Sequence, residues 1–453
     1  MSRISVFGLG PVGLVTGVCF ARKGHHVVGI DPDANRLERI KKAEPPFHEP
    51  KLKEYLARTI KDGTFSVSGD SSANVQSDLA YVTVGTPSSE DGGIDLTYVR
   101  NAAMAIGQSL CQTAHYQLIV IKSTVTPGTV STLIKPMIEN VSAKTAGKDF
   151  GLCSNPEFLR EGNAIHDAEF PDRIVIGSDD KGAIMRLENF YKEFHTESMP
   201  PVVRTTHENS ELIKYANNAF LAMKVSFINT IANIAERTPN ADIQTIAHGI
   251  GLDERIGSKF LNAGLGWGGS CFPKDLKALV RFSKTLNYDP ELVESIIRTN
   301  DRQRIRAVRL AKEALGSLSG KRIAILGLAF KPYTDDMREA VSVSLVRELL
   351  TEGARVIAYD PAALENARRI FRDNISYAKD QFECIEGADC SIIVTEWDEF
   401  KGITPNDFLQ RMRSPVVIDG RRIYDADEFS RARIRFSAIG LGPRTRTQSC
   451  NSN

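Results

Sequence analysis

The chain runs a strand into a glycine turn, and it does so twice. Near the start, Arg3-Ile4-Ser5-Val6-Phe7 leads into Gly8-Leu9-Gly10-Pro11-Val12-Gly13, a helix-like stretch and then His26-Val27-Val28-Gly29-Ile30-Asp31-Pro32. Far downstream, Lys321-Arg322-Ile323-Ala324-Ile325-Leu326-Gly327 repeats the first strand and Ala354-Arg355-Val356-Ile357-Ala358-Tyr359-Asp360-Pro361 repeats the second. Strand, glycine turn, helix and strand form one βαβ unit, whose parallel strands need a crossover and a cover on both faces. Further strand candidates at 79–84, 118–121, 150–153 and 173–176 alternate with helical stretches, and 391–395 and 416–419 extend the second copy. That alternation predicts parallel sheets in both halves.

The middle reads differently. From residue 208 to about 237 a helical pattern continues without glycine or proline, and Pro239 ends it. Leu212, Ala216, Ala219, Phe220, Met223, Phe227, Ile231 and Ile234 recur at spacings of three and four and mark an apolar face. A second helical block covers 290–315, with the glycine-rich stretch 264–269 between the two. The fold class is therefore α/β: two Rossmann-like doubly wound α/β domains joined by a central helical domain with a long helix. The boundaries read 1–206, 207–317 and 318–440, with a polar, loosely held tail at 441–453. A chain of 453 residues suits two or three domains of ~100–200 residues.

Lys and Arg number 57 against 56 Asp and Glu, a net charge of +1, which argues against a nucleic-acid binder or an anionic-membrane binder. Seven cysteines are scattered without C-x-x-C spacing, which fits reduced thiols in a cytoplasmic protein and offers no metal site. The apolar stretch 4–20 is cut by Gly8, Gly10, Pro11 and Gly13 and reads as strand and turn, not a signal peptide. No run of ~18 uncharged apolar residues predicts a membrane span.

Gly8-x-Gly10-x-x-Gly13 follows a strand, opens a helix and has Asp31 at the end of the next strand. In that context the first glycine allows the tight turn, the second a close approach to pyrophosphate, and the third close helix–sheet packing. Asp31 suits two ribose hydroxyls and would repel a 2′-phosphate, so NAD is favoured over NADP. The second copy reads Gly327-Leu328-Ala329-Phe330-Lys331, with Phe330 where a glycine would be needed, and so predicts a different ligand.

Chemistry concentrates in Gly264-Leu265-Gly266-Trp267-Gly268-Gly269-Ser270-Cys271-Phe272-Pro273-Lys274-Asp275. A helix starting near Pro273 puts Cys271 at its positive end and Lys274 beside it, a setting that favours thiolate. Cys19, Cys111 and Cys153 have no such setting and read as buried, inert thiols. Lys214 and Asn218 stand four apart on one helix face and, alone, read as solvated side chains; Glu157 and Glu161 also stand four apart, a like-charge spacing that costs a little unless something uses it.

Together these motifs resemble the UDP-glucose/GDP-mannose dehydrogenase family over essentially the whole chain to Ile439. The resemblance is carried by GLGPVGL, VGTP (84–87), KSTVTPGT (122–129), SNPEFLREG, KYANNAFLAMKVSFIN, GSKFLNAGLGWGGSCFPKD, GLAFKP with DDMRE, and DGRRIYD, in that order. PDRIVIG (171–177) and GLDERIGSKFLNAG (251–264) make the chain most similar, within the family, to its UDP-glucose 6-dehydrogenase members. The resemblance implies two successive oxidations of a sugar's primary alcohol, through aldehyde to acid, with two NAD. It makes Cys271 the nucleophile, through a thiohemiacetal and a thioester. Lys214 and Asn218 would stabilise the oxyanion, Asp275 and Thr124 would hold a catalytic water, and Glu157 would act in acid–base steps.

For NAD the resemblance implies Gly8, Gly10, Pro11, Val12, Gly13, Asp31, Arg36, Val84, Gly85, Thr86, Thr124, Glu161, Lys274 and Arg338. For the nucleotide-sugar it implies Glu157, Phe158, Leu159, Glu161, Lys214, Asn218, Arg255, Lys259, Asn262, Gly264, Gly266, Gly268, Phe330, Lys331 and Arg421. It also implies a homodimer through the central helix, or a larger assembly, with Arg255 serving the neighbouring subunit. Two segments depart from the family pattern: KSTVTPGT from the commoner Ser-Thr-Val-Pro-Val-Gly, and Pro46-Phe47-His48-Glu49-Pro50-Lys51 from Tyr-Glu-Pro-Gly, with Lys51 at the glycine.

The expected reaction is oxidation of UDP-glucose to UDP-glucuronate. The same chemistry on GDP-mannose or a UDP-N-acetylhexosamine is the alternative, since Cys271 does not distinguish sugars. A non-catalytic NAD-binding scaffold and an alcohol dehydrogenase that stops at the aldehyde are the readings from other classes.

Overall fold

The computed structural model describes residues 1–444 and separates into two compact units: Met1–Asn217 with Lys277–Tyr288, and Asn218–Leu276 with the chain from Asp289 onward. The first is built on β1 (Arg3–Phe7), β2 (His26–Ile30), β3 (Phe65–Ser68), β4 (Leu79–Val82), β5 (Gln117–Ile121), β6 (Phe150–Ser154), β7 (Ile174–Gly177) and β8 (Val202–Thr205). They form one eight-stranded sheet in the order β3-β2-β1-β4-β5-β6-β7-β8. Ile4 and Val6 of β1 pack into one core cluster and Phe7 into another, so both sheet faces are covered.

One junction departs from the expected parallel pairing: β6 and β7 meet antiparallel, at Ser154 opposite Gly177. The segment between them holds only the helix Ala164–Glu169 (6 residues). At about 9 Å that helix is too short to carry the chain back along a strand, as a parallel crossover must.

The second unit contains β9 (Arg322–Leu326), β10 (Arg355–Tyr359), β11 (Ser376–Tyr377), β12 (Cys390–Ile393), β13 (Val416–Asp419) and β14 (Arg435–Ala438). These are parallel throughout, in the order β11-β10-β9-β12-β13-β14. Ile323 and Ile325 enter one core cluster while Ala324 and Leu326 enter another. Both sheets thus contain the doubly wound order in which the chain turns back at the first strand, giving a switch point between β1 and β4 and another between β9 and β12.

The long helix is His207–Ala235. Its sequence-marked apolar face is only partly covered: Ala219, Met223 and Ile231 pack against core clusters, whereas Leu212, Phe220, Phe227 and Ile234 are 43%, 59%, 52% and 57% exposed. The buried positions are His207, Ser210, Glu211, Lys214, Tyr215, Asn218, Ala222, Ser226, Ile228, Asn229, Ala232 and Ala235. The second helical block is two helices, Glu291–Arg304 and Arg306–Leu315, parted at Ile305, whose ψ of 7° leaves the helical range without any glycine or proline.

The start of the expected loose tail is tied down, with Leu441 bridged to Asp242 and the Asn240 N–H donating to the Pro443 carbonyl. Residues 445–453, Cys450 included, lie outside the described residues. Among the described residues no helix is long and apolar enough to cross a membrane.

Candidate active site

The first switch point has the shape of a dinucleotide cradle. Gly8 turns with φ +91°, and a Cβ there would stand 2.8 Å from the Val84 backbone. At Gly13 it would stand 1.9 Å from the Gly8 carbonyl oxygen, so the helix Pro11–Arg22 meets the turn only through a bare glycine. At Gly10, the N-cap of that helix, no described atom beyond its chain neighbours lies within 4 Å of the Cβ position. Open space in front of helix-terminal N–H groups is where a pyrophosphate fits.

Asp31 is buried; its carboxylate accepts from the Leu9 N–H at 2.8 Å and pairs with the Arg36 guanidinium at 2.7 Å. Those contacts hold the acid at the crevice edge, where a ribose would meet it. Val84, Gly85 and Thr86 follow β4 on the other side of the same switch point. The residues present therefore fit NAD.

The second switch point repeats the geometry and closes it. Asp360 takes Asp31's place, with the Leu328 N–H at 2.7 Å. It also accepts from the Ala329, Ala362 and Ala363 N–H groups and from the Trp397 indole, and it is fully buried. No acceptor capacity remains for a ribose. A Cβ at Gly327 would lie 2.4 Å from the Thr395 side chain, and Thr395 Oγ1 donates to the Ala329 carbonyl at 2.6 Å. Phe330 lies instead against the Cys271 loop: a Cβ at Gly269 would stand 2.8 Å from its ring.

That loop is held on every side within the second unit. Gly266 turns with φ +96° beside Asn300, whose side chain bonds both the N–H and the carbonyl of Trp267. A Cβ at Gly268 would meet the Glu339 carbonyl oxygen at 2.2 Å, and the Gly269 N–H donates to the Arg338 carbonyl at 3.1 Å. Gly264 stands against Arg421, whose Nε donates to the Val394 carbonyl at 2.6 Å. The glycines are thus required by close backbone approach, and the result is a fixed loop ending at Cys271.

The Cys271 carbonyl accepts the Asp275 N–H at 2.9 Å, the first hydrogen bond of the helix Phe272–Thr285. Cys271 is partly exposed, and Ser270 Oγ lies 3.5 Å from its sulfur. Asp275 is buried, with one carboxylate oxygen on Lys274 Nζ and the other on Asn218 Nδ2, both at 2.6 Å.

The other thiols differ. Burial pushes Cys153 up to about 12 and Cys19, Cys384 and Cys390 further. Cys111, expected to be buried, is exposed at the C-terminal end of the helix Thr97–Leu110.

In the first unit, Lys214 and Glu157 form a buried pair. Lys214 Nζ donates to Glu157 Oε1 at 2.8 Å and to the Glu157 carbonyl at 2.7 Å. The other carboxylate oxygen takes the Leu159 N–H at 2.5 Å. Burial works against the Glu157 charge, yet the Lys214 ammonium beside it holds the carboxyl below its ordinary value. The Phe158 ring has the Arg173 guanidinium 3.7 Å from its centre and Lys214 Nζ at 5.4 Å.

Thr124 lines a small cavity with Ser123, Ser154, Glu211 and Lys214. Glu211 accepts the N–H groups of Gly128 (2.6 Å) and Val130 (2.9 Å), which pins the divergent 122–129 segment to the long helix. Burial nevertheless pushes its carboxyl up to about 8. The other divergent segment is accommodated as well. Lys51 adopts the left-handed conformation (φ 67°) that glycine prefers, and Glu49 accepts the N–H groups of Gly162 and Ala164.

Not every expected site residue is drawn in. The Arg255 side chain is 89% exposed and pairs with Asp253, and Lys259 is also exposed. Arg338 is exposed and forked onto Asp336. Glu161 and Lys331 are partly buried. Asn262 and Arg421 line a cavity of about 330 Å³ together with Gln244, His248, Ser258 and Arg422. Sequence reasoning missed those last four, and also Lys122, Glu211 and Arg173. The one signal was the apolar run before Lys122.

The chain matches three family models: the NAD binding domain of the UDP-glucose/GDP-mannose dehydrogenase family over residues 2–195, its central domain over 208–302 and its UDP binding domain over 324–426. It is 42% identical over 441 residues to the UDP-glucose 6-dehydrogenase TuaD of Bacillus subtilis, covering 97% of this chain and 93% of that one. Among solved structures, a UDP-glucose dehydrogenase from Pyrobaculum islandicum superposes with a TM-score of 0.88 at 38% identity, covering 98% and 97% of the two chains. A UDP-D-ManNAc dehydrogenase from Pyrococcus horikoshii gives 0.84 at 26% identity, covering 97% and 99%.

Proposed function

Because this chain belongs to the UDP-glucose/GDP-mannose dehydrogenase family and is an NAD-dependent nucleotide-sugar dehydrogenase, we propose that it oxidises UDP-glucose to UDP-glucuronate through a covalent adduct on Cys271. The overall change is –CH₂OH + H₂O + 2 NAD⁺ → –COO⁻ + 2 NADH + 3 H⁺, NAD accepting hydride in each oxidation.

The observation that carries the covalent route is the contrast between two accessible thiols. Cys111 ends a helix, whereas Cys271 begins one, on a loop fixed by glycines and beside Lys274. A thiolate there is stabilised by the helix N-terminus. It adds to the aldehyde, keeps it from escaping as a free electrophile, and leaves readily from the thioester. Lys214 and Asn218 stabilise the oxyanion, Asp275 and Thr124 hold the hydrolytic water, and Glu157 moves protons. Gly8, Gly10, Gly13, Asp31 and Arg36 hold the cofactor's pyrophosphate and ribose; Phe330, Lys331, Arg421 and the cavity with Asn262 take the nucleotide.

UDP-glucose is preferred over GDP-mannose and UDP-N-acetylhexosamines because the 42% and 38% identical relatives bear that name, against 26% for the N-acetylmannosamine enzyme. The test is NADH formed per sugar consumed with UDP-glucose, GDP-mannose and UDP-N-acetylglucosamine. Two per UDP-glucose, with the other sugars slow, is the expected result. Two on another sugar moves the substrate, and one on every sugar removes the covalent route.

The open apolar stripe of the long helix supports a homodimer. Phe220, Phe227 and Ile234 recur every seven residues, and an uncovered stripe of that kind marks a protein interface. Light scattering should give at least twice the chain mass of 49.9 kDa, and a monomer at assay concentration would remove this reading. Exposed Arg255 and Lys259 are then available to a neighbouring subunit's substrate. The free thiols suit a cytoplasmic enzyme.

A further inference from the structure

Lys122, the residue after β5, is a partly buried lysine that the proposed reaction leaves without a task. Its ammonium donates to Asn155 Oδ1 at 3.1 Å, the oxygen that also accepts the Tyr191 hydroxyl at 2.6 Å. The Asn155 amide is fixed in turn on the Val175 carbonyl at 2.8 Å. Among the described residues no carboxylate pairs with Lys122 directly, yet it feels the charges of both Glu157 and Lys214. The Glu157–Lys214 pair is neutral as a pair, so with Lys122 protonated the three groups carry one positive charge in excess. Burial pushes the Lys122 ammonium down to about 8, with Glu157 pulling it up and Lys214 pushing it down. The surplus charge is therefore costly in the absence of an anion.

We propose that Lys122 is a positioning residue of the oxidation: it gives the Glu157–Lys214 pair a surplus buried positive charge that is balanced only when negative charge develops on the sugar oxygen held by Lys214. The proposal rests on the reading of Lys214 as oxyanion donor. A charge fixed in a low-dielectric interior acts most strongly on charge that appears in the transition state. A neutral alcohol in the ground state gains little from it, so the effect belongs in kcat rather than KM.

The groups facing Lys122 are Asn155 and Glu157 from the segment after β6, Tyr191 and His195 from the helix Lys181–Phe194 and its end, and Lys214 from the long helix. Burial raises Tyr191 far above neutrality and lowers His195 below its ordinary value, while Glu157 stays ionised. Glu211, one turn from Lys214 on the same helix, also titrates near 8 and must be separated from Lys122.

The experiment compares wild type, K122M and K122R with UDP-glucose from pH 6 to 10. K122M should lower kcat about 10- to 100-fold with KM within about threefold. Wild-type kcat should fall as pH rises through about 8. K122R, whose charge does not titrate, should recover kcat to within about fivefold and lose that fall. If K122M matches wild type, or if the alkaline fall persists unchanged in K122R, the proposal is overturned.

Thermal unfolding without ligand gives a second reading. The native Lys122 value lies below the ordinary 10.5, so wild-type stability should rise between about pH 8 and 10.5 as the unfolded chain retains the extra proton. K122M should be the more stable protein at pH 7, with the advantage shrinking toward pH 10. No such advantage would mean no surplus charge, and the proposal would fall. Failure of the substrate reading shows instead in the wild type, as absence of NADH with UDP-glucose.

Discussion

The Cys271→Ser enzyme is expected to form NADH in the steady state about 10³-fold or more slowly than wild type, and to release fewer than two NADH per UDP-glucose. The argument is chemical before it is structural. Serine keeps the loop: Ser270 already occupies the neighbouring position, and Oγ is smaller than Sγ, so the glycine contacts with Phe330 and the Glu339 carbonyl are undisturbed. What changes is the acidity of the group at the helix N-terminus. A terminus and a lysine that stabilise a thiolate do not bring an alkoxide into the neutral range. Addition to the aldehyde slows, and any ester formed expels its alkoxide less readily than a thioester expels thiolate. The first oxidation needs no nucleophile, so aldehyde or a stalled adduct should accumulate, detectable by trapping with a hydrazine. Two NADH per sugar at a near-wild-type rate would exclude the covalent route while leaving the family assignment intact.

Much of this architecture was legible because its signals are local. A strand ending in Gly-x-Gly-x-x-Gly with an acid closing the next strand fixes a turn, a helix start and the place of an acid at once. The structure puts Gly8, Gly10, Gly13 and Asp31 around one switch point. The repeat in the second half was visible for the same reason. The way Asp360 is consumed by five donors was not, because those donors come from distant segments. Short edge strands escaped too. Val202–Thr205 is half exposed, and Ser376–Tyr377 is only two residues long, so neither carries the apolar run that marks a buried strand.

The long helix taught the sharper lesson. Its largest apolar side chains, Leu212, Phe220, Phe227 and Ile234, are left open, while the covered face carries Glu211, Lys214, Asn218, Ser226 and Asn229 beside Tyr215, Ala222, Ile228 and Ala232. Periodicity reports that a helix has an apolar side; it does not say whether the same chain covers it. The polar side is buried because its groups are partnered: Lys214 by Glu157, Asn218 by Asp275, and Asn229 by the Gly264 N–H at 2.8 Å. Lys122 and Glu211 read as surface residues until the fold closes over them, the first as a single charge after an apolar strand and the second as one of several polar residues at the start of a helix.

The buried Lys214–Glu157 pair supplies the second large effect, and it separates folding from catalysis. Lys214→Met leaves the Glu157 carboxylate buried with only the more distant Lys122 as counter-charge, and should cost about 3 kcal/mol of stability at pH 7. The pH dependence follows from the direction of each shift. In wild type the Glu157 value lies below the ordinary 4.5, so its stabilisation is present above that pH and is lost as the pH falls through the native value. Without Lys214, burial dominates and the native value moves above 4.5, so the variant loses stability as the pH rises from about 4.5 toward 7. The gap between the two proteins should therefore open with rising pH and nearly close in acid, which paired denaturation curves at pH 4 and pH 7 will read. Adding Glu157→Gln removes the stranded charge, and the double variant should recover to within about 1 kcal/mol of wild type. Turnover should not recover. Both the single and the double variant lack the cation that the proposed mechanism sets against the oxyanion, and each should show kcat lowered by about 10²- to 10³-fold. A double variant that regains activity along with stability would make Lys214 a structural partner of Glu157, and the oxyanion would then rest on Asn218 alone.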